Sequence, residues 1–110
     1  MLLGLVKGDS IELEITTNID ISDWKIRCEI FDANGSSIKL ATSNSGGSNA
    51  QIEIIDAING VFLLKVLKGL TTNFNNSANI EIEREEDEKI LTIYQDEIKF
   101  NSEKINWTAP

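Results

Sequence analysis

At 110 residues the chain is one domain long, enough to bury a core without metal or disulfide staples. Its 18 acidic residues outweigh 10 basic ones, and the formal net charge of −8 argues against nucleic acid or an anionic membrane as partner, since both call for clustered Lys or Arg. There is no histidine and a single cysteine, Cys28. That removes the commonest general base, His-based triads, nearly every zinc or copper site and any intrachain disulfide.

The opening Met1-Leu2-Leu3-Gly4-Leu5-Val6-Lys7 is apolar. It lacks the basic flank, core length and cleavage site of a signal peptide, so synthesis in the cytoplasm is expected. No stretch reaches transmembrane length. Ile11, Leu13 and Ile15 alternate with Glu12, Glu14 and Thr16, which predicts a strand with one wet face. After a polar connection, Trp24, Ile26, Cys28 and Ile30 alternate with Lys25, Arg27, Glu29 and Phe31 in a second strand. Asp32-Ala33-Asn34-Gly35-Ser36 reads as a hairpin turn, because Asn and Gly both tolerate positive φ. Ile38, Leu40 and Thr42 begin the return strand.

The Ser/Gly/Asn segment 43–49 is expected to be a flexible loop. Ile52 and Ile54 mark a fourth strand, and Asn59-Gly60 a second turn. Val61 to Leu67 is apolar on both faces except at Lys65, which predicts a central strand covered on both sides, one of them by a partner chain. Ile80 and Ile82 alternate with Glu81 and Glu83; Glu85 to Glu88 forms the tip of another hairpin, from which Ile90 to Tyr94 returns.

Seven or eight short strands with turn signals about every ten residues predict an all-β chain, an Ig-like β-sandwich, with a partly open β-barrel as the alternative. Residues 1–95 are expected to form the sandwich, and 96–110 a C-terminal strand or an extended arm. Ile26, Cys28, Ile30, Ile52, Ile54, Phe62, Leu64, Val66, Ile80 and Ile82 are expected to face inward.

No set of residues fills the roles an active site needs, so the chain is expected not to be an enzyme and to need no cofactor. Asp32-Ala33-Asn34-Gly35-Ser36 echoes the start of a calcium loop, but no acid stands at its far end. The acidic run from Glu81 to Glu88 reads as a solvated face guarding a strand against edge pairing. Cys28, on an apolar face, reads as a small buried hydrophobe. Trp24, Phe74, Tyr94, Phe100 and Trp107 are candidates for a sugar-stacking platform, with core packing expected for Trp24. Ile98, Phe100, Ile105 and Trp107 sit in a polar tail and are the candidate interface.

Lys7-Gly8-Asp9-Ser10-Ile11-Glu12-Leu13-Glu14-Ile15 resembles the first strand of Ig-like domains of phage tail and baseplate proteins, of the type at the N-terminus of baseplate upper proteins. The hairpin from Trp24 to Leu40 and the Gly60-Val61-Phe62-Leu63-Leu64 step into an apolar strand are similar to that pattern. The resemblance implies a non-catalytic virion structural or accessory role, contacts with other virion proteins and a symmetric assembly, and it assigns no site residue. A ligand- or carbohydrate-binding module on the same architecture is the alternative expectation.

Overall fold

A computed structural model describes residues 2–42 and 50–101. The fold is all-β. Eight strands follow in chain order: β1 (Leu2–Val6), β2 (Ile11–Thr16), β3 (Lys25–Phe31), β4 (Ser37–Ala41), β5 (Ala50–Asp56), β6 (Val61–Val66), β7 (Ser77–Glu86) and β8 (Lys89–Asn101). They form one mixed sheet in the order β1-β8-β7-β3-β4-β5-β6-β2, curled like a nearly closed barrel. The join between β4 and β5 is a short parallel step, Leu40 to Ala50 and Ala41 to Gln51. It divides the sheet into a five-strand and a three-strand portion around one core.

Alternation produces this core. Every second residue of β3, β4, β6 and the first half of β7 is buried, because successive side chains on a strand point to opposite faces. Nine of the ten residues expected to face inward are buried; Ile54, at 37 % exposed, is the exception. The β5–β6 ladder shifts register between Ile54 and Asp56, and this irregularity leaves Ile54 at the rim. Ile21, Trp24, Phe74, Ile98 and Phe100 complete the core from loops and from β8.

Two features depart from the sequence expectations and a third agrees with them. The apolar N-terminal segment is a strand, β1, running parallel to the end of β8 with Leu2 opposite Ile98 and Leu5 opposite Phe100. In the Asp32–Ser36 turn only Gly35 has positive φ, at 88°. The Gly35 N–H donates to the Asp32 carbonyl at 3.3 Å and the Asp32 N–H to the Ser36 carbonyl at 3.0 Å, the pattern of a type I turn closed by a left-handed glycine. The two-residue turn with both φ positive stands instead at Asp87 (52°) and Glu88 (65°), between β7 and β8. Finally, β6 is central as expected, between β2 and β5. Its outward Val61, Leu63 and Lys65 are half-buried, and Lys65 forms an ion pair with Glu53.

Candidate interaction surfaces

At one end of the molecule the connection after β2 and the turn before β6 are tied to each other. The Thr17 N–H donates to the Gly60 carbonyl at 2.9 Å, and the Ile21 N–H to the Ala57 carbonyl at 2.8 Å. Gly60 has φ of 73°, and a Cβ there would stand 1.9 Å from Thr17 Oγ1 and 2.4 Å from the Ile19 carbonyl oxygen. Only glycine lets the two segments approach this closely. Asp56 fixes the turn by accepting the Asn59 side-chain amide at 2.7 Å and its backbone N–H at 3.3 Å; these bonds hold its carboxyl below the usual carboxylate range. Asp20 is lowered in the same way by the hydroxyl and backbone N–H of Ser22.

These locked turns present apolar side chains to solvent. Ile58 is 72 % exposed, and Ile19 and Ile55 are each 52 % exposed. Isolated exposed apolar residues are ordinary. Here Ile19 and Ile58 sit on adjoining loops held by hydrogen bonds and Ile55 at the end of β5, with Asp20 and Asp56 beside them in sequence.

The candidate interface from the tail is placed differently. β8 continues through residues 96–101 without a break, so this part of the segment expected as a C-terminal strand or an extended arm is a strand. Ile98 and Phe100 point into the core and are 0 % and 6 % exposed, while Glu97 and Lys99 face out. Phe100 packs edge-on against Phe74, with centroids 6.1 Å apart. Neither side chain is open to a partner, because both face the core, and both edges of β8 are paired here, with β7 and β1. Ile105 and Trp107 lie outside the described residues. Among the other aromatic candidates, Trp24 is buried beneath the Arg84 guanidinium, 4.2 Å from its ring centroid, and Phe74 is also core. The Tyr94 hydroxyl donates to Asp96 at 2.7 Å, which raises its pKa.

The echo of a calcium loop has a structural use. The Asp32 carboxylate is occupied by the backbone N–H groups of Asn34, Ser36 and Asn75. Asn75 foremost holds its pKa down, and burial works in the other direction. The acidic run faces partners of both signs: Glu83 is opposite Arg27 and Glu85 opposite Lys25, whereas Glu81 is opposite Glu29. Cys28 is 3 % exposed, and burial pushes its thiol up to about 12. That is the environment of an inert cysteine. Among the described residues no group of three or more His, Cys, Asp or Glu is placed to hold a metal ion.

A feature absent from the sequence reading lies where β3, β7 and β8 run side by side. Phe31, half-buried, occupies a position on the solvent face. It lines a depression of about 330 Å³ together with Asn79, Ile80, Glu81, Gln95 and Asp96. The available signal was an aromatic residue on the wet side of an alternation otherwise filled by Lys25, Arg27 and Glu29. Compared with known proteins, the chain matches no family model, and no curated protein matches it significantly.

Proposed function

We propose that the chain is a non-catalytic structural or accessory module of a phage or prophage virion that docks onto other virion proteins. The observation that carries this reading is the rigid apolar end, where Ile58 and Ile19 are held out on turns locked by Thr17–Gly60 and Ile21–Ala57 hydrogen bonds. Preorganised side chains lose little freedom on binding, so the apolar area they bury contributes more fully to affinity. The resemblance of Lys7–Ile15 and Gly60–Leu64 to baseplate-type Ig-like domains supplies the setting. The absence of histidine from the sequence agrees with a role that needs no chemistry.

Gradient purification of particles from induced or infected cells tests the proposal. The chain is expected to travel with the particles; a chain confined to the soluble fractions would overturn the reading. A second reading, a carbohydrate-binding module on the same architecture, is favoured by the depression beside Phe31.

A further inference from the structure

We infer that the solvent face of β3, β7 and β8 carries a binding site for one ring of a neutral saccharide, with Phe31 as its stacking surface and Asn79, Glu81 and Gln95 as its hydrogen-bonding rim. The inference does not depend on the virion reading, since it uses a different face of the molecule.

Register builds the site. Phe31 is directly opposite Asn79 on the neighbouring strand, and Glu81 is directly opposite Gln95 on the next. Paired residues share a face, and the neighbours Ile30, Ala78, Ile80 and Ile82 point into the core. These four side chains are therefore carried on three adjacent strands whose inner faces are fixed by packing. Asn79 and Gln95 are exposed, while Phe31 and Glu81 are half-buried. The Glu81 carboxylate has one weak partner among the described residues, the Thr92 hydroxyl at 3.4 Å.

The chemistry of the lining selects the ligand class. An aromatic ring offers an apolar face that can cover the C–H face of a pyranose. Two carboxamides supply donors and acceptors, and a carboxylate accepts from hydroxyl groups. A saccharide ring is one of the few small molecules that presents an apolar face and a rim of hydroxyls together. Among the described residues the lining carries the Glu81 carboxylate and no cationic side chain, which disfavours phosphates, sulfates and acidic sugars. The volume of about 330 Å³ lies at the small end of the range for ligand sites, which suits a single ring of a longer glycan.

Titration of the full chain with glucose, galactose, mannose and N-acetylglucosamine, followed by two-dimensional amide NMR, tests the site. At least one of these sugars is expected to shift the resonances of Phe31, Asn79 and Gln95 with saturable millimolar affinity, and sorbitol, which has no ring, is expected not to. Phe31→Ala should weaken binding by about tenfold or more, the loss of roughly 1.4 kcal/mol of stacking, and Phe31→Trp should retain it. If Phe31→Ala unfolds, Asn79→Ala and Gln95→Ala, both at exposed positions, decide the matter through the same titration. No shift with any of the four sugars, equal shifts with sorbitol, or binding untouched by the variants would each overturn the inference.

Discussion

The Asp32 carboxylate accepts the backbone N–H of Asn75, 43 positions away, at 2.9 Å. One side chain thereby joins the β3–β4 hairpin to the connection between β6 and β7. Its second oxygen accepts from Asn34 and Ser36, so the carboxylate serves three backbone donors at once. Asp32→Asn keeps the shape but replaces one acceptor oxygen by an N–H donor, and one of the three donors is left unserved. A lower melting temperature at neutral pH is expected; an unchanged one would show that the hub is dispensable.

The same bonds set an acid limit. Asp20, Asp32 and Asp56 all have pKa values below the usual carboxylate range in the folded state. The unfolded chain therefore takes up protons first as pH falls. Their contribution is fully present above the unfolded value of about 3.9 and is lost as pH drops through the lower folded values. Thermal melts should be insensitive to these groups between about pH 5 and 7 and fall away below about pH 4. In Asp32→Asn the acid-side decline should be shallower.

Gly60→Ala places a methyl group against Thr17 Oγ1 and the Ile19 carbonyl and imposes a left-handed conformation on a residue with a Cβ. A loss of about 2 kcal/mol or more is expected in chemical denaturation. Gly35, also at positive φ, has open space around it, so Gly35→Ala should cost only about 1 kcal/mol. Equal losses would contradict the close-approach account.

Much of the fold could be read from the sequence and some could not, for identifiable reasons. Period-two alternation exposes β2, β3, β4 and β7, because each has one wet face. β1 was hidden: Leu2–Val6 carries no alternation and acquires its partner only when the end of β8 lies beside it, at the far end of the chain. Asn-Gly pairs mark turns correctly but not their geometry, since at Asn34-Gly35 and Asn59-Gly60 only the glycine adopts positive φ. Conversely, Asp87-Glu88 takes a two-residue turn whose positive φ Asp tolerates but Glu disfavours, imposed by the ladder pairing Glu86 with Lys89. The Phe31 depression depends on three strands meeting in register, which local pattern does not encode.

That turn supplies another check. Replacing Asp87-Glu88 by Asn-Gly installs the residues its geometry prefers. A gain of about 0.5–1 kcal/mol is expected. No gain would mean that the hairpin tip contributes nothing to the folded ladder.

Truncation after Gln95 removes Ile98 and Phe100 from the core and leaves β1 without its partner. Loss of one such buried side chain costs about 2–5 kcal/mol, so the truncated chain should be unfolded by circular dichroism. A folded truncated chain would favour the extended-arm alternative for 96–110 over the C-terminal strand.

The measurement closest to the central claim is site-specific photo-crosslinking in purified particles, with a photoreactive residue in place of Ile58 or, as a control, of the exposed Lys39 on the outer face of β4. Both positions are solvent-facing, so substitution there should change stability by no more than about 0.5 kcal/mol. Crosslinks from position 58 to another virion protein, with few from position 39, are the predicted result. No crosslink from position 58 while the chain is present in the particle, or equal yields from both positions, would contradict docking through the apolar end.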